Sequence, residues 1–442
     1  MAMSSTLPTP QSGPLAKRTD EDLAPGDIAV GVIIGRASEY FDFFVFGIAS
    51  VLVFPQVFFP FADRLTGTLY AFLVFALAFV VRPVGTLIGM EIQRRFGRSA
   101  KLTTALFLLG CSTVAMGLLP GFAEAGSTAI VLLALCRVGQ GLALGGSWDG
   151  LPSLLALNAP PDRRGWYAML GQLGAPLGFF IASGVFLYVF SSLDSKDFLS
   201  WGWRFPFFTA FAINVVALFA RLRLVVTHEY EKRMEEHELD PAPLRELLPA
   251  QGHHIVIGAF VALASYALFH LVTVFPLSWV ALSDEDGIEG FMKMELLGAA
   301  FAAAAMPMSG LIADKVGRRN FLGTLAIAIG VFALFAPLML GGGKPGQAAF
   351  ILIGFVLLGL SYGQSAGSVT SNFLPHFRYT GAALTADMAW LLGAAFAPVI
   401  ALYLSSRFGL VSLSVYLLSG VVCTLLALRV NKRLRAAAVV HD

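Results

Sequence analysis

Gly310-Leu311-Ile312-Ala313-Asp314-Lys315-Val316-Gly317-Arg318-Arg319 lies between two long apolar runs, and Arg95-Phe96-Gly97-Arg98 stands in the same relation to two earlier ones. The distance from Gly97 to Gly317 is half the length of the 442-residue chain, which points to a duplicated architecture. In each copy the glycine permits a tight turn, and the basic residues hold the loop in water at a membrane surface. Asp314 can pair with a neighbouring helix N-terminus or with an arginine.

Outward from these loops, apolar runs of about 20 residues, enough to cross a hydrocarbon core of about 30 Å, recur from end to end. Twelve are expected, near 28–53, 66–90, 102–120, 129–156, 165–190, 201–221, 254–282, 292–313, 320–340, 347–372, 380–404 and 409–430. The mixed charges of the stretch around residues 223–251 cannot lie in lipid, and it divides the runs six and six. The expected units are a flexible tail (1–27), a six-helix bundle (28–221), an inter-bundle loop (222–252), a second six-helix bundle (253–430) and a short tail (431–442).

Composition excludes most alternatives. Hydrophobic residues make up 57% of the chain and charged residues 13%, more apolar surface than a soluble core absorbs. A net charge of +2 lacks the dense basic face that nucleic acid requires. Cys111, Cys136 and Cys423 all fall within apolar runs, with neither disulfide nor zinc spacing, and read as small packing residues. Phosphate-binding loops, nucleophile motifs and metal spacings are absent from the sequence, so no enzyme activity and no cofactor are expected. Basic residues crowd one side, among them Arg94, Arg95, Arg98, Lys101, Arg163, Arg164, Lys315, Arg318, Arg319 and Arg378. The other side shows Arg64, Lys196, Lys344 and Arg407, so both termini are expected in the cytoplasm.

The loop motif matches the signature of the major facilitator superfamily at every defined position in its second copy. Four further segments resemble the metabolite:proton symporter family within it: Gly35-Arg-Ala-Ser-Glu39-Tyr40-Phe41-Asp42-Phe43-Phe44, Arg82-Pro83-Val-Gly85, Arg137-Val-Gly-Gln140-Gly141 through Gly145-Gly146, and Gly202-Trp203-Arg204-Phe-Pro206-Phe207. Arg378-Tyr379-Thr-Gly381 adds a fifth. The resemblance implies an all-α membrane protein of twelve transmembrane helices in two pseudo-symmetric six-helix bundles. It also implies a bacterial inner-membrane carrier that imports small organic acids or amino-acid-like metabolites with protons by alternating access. The sequence departs from the pattern at Arg94, where an aspartate is expected and Glu91 is the nearest acid, and at Ser147, where the usual glutamate is absent and Asp149 follows. Asp387 stands where relatives tend to carry a neutral polar residue.

A charged group at a helix centre costs about 2.5–3.5 kcal/mol on insertion scales, so such groups need a reason. The first run holds Arg36, Glu39 and Asp42, each about 60° round the helix from the next, and these are expected on one cavity-facing stripe. Either Glu39 or Asp42 is expected to carry the proton, unless the charges form a purely structural pair. Arg36 suits a carboxylate ligand through its guanidinium fork, or becomes scaffold if Glu39 neutralises it. Arg137 serves proton coupling or packing; Asp149 and Asp387 serve an inner gate, a second proton site or a local pair. Tyr40, Gln140, His270, Trp279, Tyr362, Gln364 and Trp390 are the remaining candidates for substrate contact, against anchoring or packing. Asp314, Arg318, Arg94 and Glu91 are the candidates for gating. The expected partners are a small carboxylate or zwitterion, protons and the lipid bilayer, for a chain acting as a monomer. A uniporter or exporter on the same fold, or a receptor or assembly protein without transport, are the rival readings.

Overall fold

A computed structural model of the chain describes residues 25–148, 159–160, 162–225, 240–284, 287–366 and 372–441, and the regular elements among them are all helices. Ten are long and apolar enough to cross a membrane. One of them, Arg64–Leu118, is two spans joined at Gly97, where a φ of 82° turns the chain back. Pro25–Leu52 has the length of a further span and carries Arg36, Glu39 and Asp42 within it. The twelve spans are α1 (Pro25–Leu52), α2 and α3 (64–96 and 98–118), α4 (Ser127–Gly146), α5 (Arg164–Ser192), α6 (Phe205–Val225), α7 (Leu263–Ser283), α8 (Ile288–Val316), α9 (Arg318–Leu340), α10 (Gly343–Tyr362), α11 (Pro375–Phe408) and α12 (Val411–Lys432).

The distribution of side chains suits lipid outside and polar chemistry within. Phe107, Leu135, Phe219, Leu338 and Val415 are exposed on the outer surface, whereas Glu39, Asp42, Arg137, Glu295 and Asp387 are buried. Two helices depart from a simple rod. α7 is entered through Leu244–Val261, which begins inside the stretch expected to be loop, and it breaks again before Phe275-Pro276. α11 contains a wide turn at Leu391–Ala395, next to Trp390; such turns often accompany functional sites.

Lipid tails supply no hydrophobic drive between helices, so close contact depends on small residues. The motif glycines of α2 and α4 answer to this. A Cβ on Gly85 would lie 2.2 Å from the Leu142 carbonyl oxygen, and one on Gly145 would lie 2.1 Å from that of Arg82. On α5, a Cβ on Gly174 or Gly178 would lie 2.6 Å from the Cβ of Arg36 or Tyr40 of α1, again too close for a side chain. Gly145→Ala is expected to force α2 and α4 apart at a cost of about 1–3 kcal/mol, read as a fall in melting temperature of the purified protein in detergent. An unchanged melting temperature would show that this contact relaxes freely.

The motif at the entry to α6 is structural as well. Arg204 donates from Nη1 to the carbonyls of Gly117 and Leu119 at 2.7 and 2.8 Å, satisfying the end of α3. Trp203 is fully buried against Phe54, Phe58 and Phe207. At the start of α2, Asp63 accepts from the Thr66 hydroxyl and amide, and these bonds hold its carboxyl below the usual carboxylate range.

Candidate functional site: the junction of the two bundles

Arg36, Glu39, Tyr40 and Phe43 of α1 meet Phe79 and Arg82 of α2, Leu144 of α4 and Trp390 of α11 around one cavity at the junction of the bundles. It holds about 20 Å³, room for water rather than a metabolite. Arg36 Nη1 donates to Glu39 Oε2 at 2.5 Å, and its Nη2 donates to the Tyr40 hydroxyl at 3.3 Å. The other carboxylate oxygen of Glu39 accepts from the Ser147 hydroxyl at 2.7 Å. Ser147, which stands where the pattern expects an acid, thus binds the acid of α1. The Tyr40 hydroxyl in turn forms a hydrogen bond with that of Tyr362, tying α1 to α10.

A second charged pair, of which Arg82 lines the same cavity, crosses between the bundles. Arg82 Nε is 2.8 Å from Asp387 Oδ1, and the Thr86 hydroxyl donates to Asp387 Oδ2 at 2.6 Å. Both charges are buried, so each needs the other. Arg82 also lies over the Trp390 ring, 5.7 Å from its centroid.

Several expected site residues are turned elsewhere. Asp42 is not on the cavity stripe: its carboxylate accepts from Asn214 Nδ2 of α6 at 2.6 Å, while Asn214 Oδ1 accepts from Ser38. The reason is angular, since successive steps of about 60° carry Asp42 about 120° from Arg36, round to the interior of its own bundle. Arg137 is also enclosed there, donating to the Phe75 carbonyl at 3.0 and 3.1 Å and to Gln140 at 2.8 Å, and surrounded by the rings of Phe43, Phe46 and Phe75. Gln140 passes the contact on to Thr113 and does not line the cavity. His270 is fully buried among Phe43, Phe75, Phe79, Phe269 and Trp390, with neither ring nitrogen hydrogen-bonded among the described residues. Trp279 is half-buried beside Phe275, away from the cavity lining. Asp149 lies outside the described residues.

At the loop-motif end the second copy forms a latch between the bundles. Asp314 of α8 accepts from the amides of Gly165 and Trp166 at the start of α5, at 2.5 and 3.1 Å. Arg318 donates to the carbonyl of Arg164 at 3.0 Å, and Gln364 donates to that of Gly165 at 3.1 Å. The first copy differs. Glu91 pairs with Arg94 and Arg95 of its own exposed helix turn, so these ion pairs of the gating candidates Glu91 and Arg94 stay within one helix. There the crossing contact is made by residues the sequence reading did not select: buried Lys101 donates to the Trp148 carbonyl and the Tyr379 hydroxyl, each at 2.7 Å, and Tyr379 donates to Gln93 at 2.8 Å. In the sequence Lys101 stood out only as one of the basic residues of this side, and Tyr379 only through the resemblance at Arg378-Tyr379.

Two membrane-embedded bundles, buried charges at their junction and latches at one end define a polytopic carrier. A family model described as "Major Facilitator Superfamily" matches residues 32–386, and the chain belongs to that family of membrane transporters; it is not an enzyme. The "Inner membrane metabolite transport protein YhjE" of Escherichia coli (strain K12) is 39% identical over 416 residues, covering 92% of this chain and 94% of that protein. The "Shikimate transporter" of the same organism is 29% identical over 408 residues, covering 89% of this chain and 91% of that protein. Among solved structures, the crystal structure of D-xylose-proton symporter shares the fold with a TM-score of 0.69 at 19% identity, covering 91% of this chain and 97% of that one.

Proposed function

We propose that the chain is a proton-coupled importer of a small organic anion or zwitterion, working by alternating access in a bacterial inner membrane with both termini in the cytoplasm. The observation that carries this reading is the pairing of Arg36 with Glu39 on the wall of the inter-bundle cavity. The Arg36 guanidinium, partly withdrawn from water, is best balanced by one carboxylate partner. Either ionised Glu39 supplies it, or Glu39 takes a proton and the carboxylate of a substrate replaces it at Arg36. Proton and anion then enter together, and the charge in the cavity stays balanced. The same substitution can act at Arg82, where a substrate carboxylate competes with Asp387 and loosens the pair that joins the bundles. Coupling is the resulting difference in stability between the two access states, and it is reciprocal for proton and solute.

The shikimate named for one relative is a carboxylate, which fits a cavity with two guanidinium groups; the relative called an inner membrane protein supports the proposed location. Asp314 and Arg318 act as the gate on the cytoplasmic side in this reading, as they join the bundles beyond the cavity. Tyr40, Tyr362 and Trp390 line or close the solute space, and His270 closes its apolar flank. The test is uptake by proteoliposomes holding the purified protein. An imposed inward proton gradient is expected to concentrate a carboxylate such as shikimate several-fold, and a proton ionophore to abolish the accumulation. Equilibration that ignores the gradient would make the chain a uniporter.

A further inference from the structure

α8 and α5 belong to different halves of the chain and pack together at the end opposite the Lys315–Arg319 loop. A Cβ on Gly184 of α5 would lie 3.9 Å from the Leu296 side chain of α8. The residue before each of these carries a buried polar group without a partner among the described residues. On α5 it is the Ser183 hydroxyl, and on α8 both carboxyl oxygens of Glu295, a side chain only 1% exposed. Glu295 stands about 10 Å along α8 from Ile288 and about 28 Å from Asp314 at 1.5 Å per residue, far from the latches of the other end.

Among the described residues, the helices packed around this carboxyl offer it no countercharge. On α8 itself Lys293 is turned outward onto Glu289 at 2.6 Å, with both groups exposed, and Asp314 and Lys315 are at the far end. On α5 the titratable groups are exposed Tyr188 and, at the far end, Arg164 and Tyr167. On α10 they are exposed Lys344 and Tyr362, which is committed to Tyr40. On α9 they are Arg318 and Arg319 at the loop-motif end, and the segment Phe275–Ser283 has none. An ionised carboxylate in so apolar a place carries a desolvation cost that no neighbour offsets, whereas the protonated acid is tolerated.

We infer that Glu295 is a proton-binding switch of the α5–α8 seam: it holds its proton while the bundles are closed at this end and releases it to water when they part. This rests on the alternating-access reading above, not on which α1 carboxyl takes part in coupling. Because the closed state binds one more proton than the parted state, raising the pH favours parting, by about tenfold per pH unit while the group titrates. Protonation therefore drives closure of the far end, opposite the Asp314 latch.

The experiment is a pair of spin labels at Lys196→Cys and Lys344→Cys, exposed positions of the two halves at this end, in a protein whose three native cysteines are replaced, in lipid nanodiscs. Distances are measured from pH 5 to pH 9. The otherwise wild-type protein is expected to gain a longer-distance population as pH rises, whereas Glu295→Gln and Glu295→Leu keep the short distance throughout. Retention of the wild-type pH response in both variants would overturn the inference, and so would a wild-type distance that ignores pH. The readout needs no flux: a seam that responds through Glu295 in a protein that fails gradient-driven uptake sinks the symport reading alone, and the reverse result sinks this inference alone.

Discussion

Asp387→Asn is expected to shift the protein toward opening at the loop-motif end and to lower the initial rate of uptake at least about tenfold. The carboxylate of Asp387 is the buried partner of Arg82 and accepts from Thr86, so its loss leaves a guanidinium in the closed junction without a countercharge. Removing one member of a buried pair costs about 3–5 kcal/mol. Here the cost falls on one conformation. Arg82 and Asp387 are on different bundles, and when these part at this end Arg82 reaches water and needs no partner. The bundles themselves should therefore stay folded, with a population shift of about a hundredfold or more. Cysteine accessibility near Gly165 and Tyr379, compared between wild type and variant, reads the shift; unchanged accessibility would show that the pair does not govern closure. The charge-swapped double variant, Arg82→Asp with Asp387→Arg, should recover part of the closed population, a result that a nonspecific packing defect would not give.

Glu39→Gln is expected to abolish accumulation against a gradient while leaving exchange of labelled for unlabelled solute measurable. Glutamine keeps the size of the side chain and can still accept from Ser147, but it neither neutralises Arg36 nor exchanges a proton. The anion site at Arg36 is then permanently vacant of its internal competitor, so binding persists and its dependence on protons disappears. Asp42→Asn provides the contrast. Asp42 is bound to Asn214 inside the first bundle rather than to the cavity, so accumulation should survive in that variant with a change in stability only. If Asp42→Asn uncouples transport and Glu39→Gln does not, the exchange of partners at Arg36 is wrong, and the proton travels along the interior of the first bundle.

Apolar run length and the repeated loop motif determined the twelve spans and their division into halves, because a hydrocarbon core admits little besides helices of about that length. The charges of α1 were legible for the same reason: three ionisable residues within one apolar run are too costly to be incidental. Periodicity places a residue on one helix but does not say what lies opposite it. Only the tertiary structure turned Asp42 toward Asn214, joined Thr86 to Asp387 across 301 residues of sequence, and brought Lys101 and Tyr379 together beside the first loop copy. Glu295 escaped the sequence reading because, two residues from Lys293 near the start of an apolar run, it resembles an interfacial charge. Its burial against α5 and α10 depends on how separate stretches of chain pack, and that packing is where local pattern stops constraining the chain.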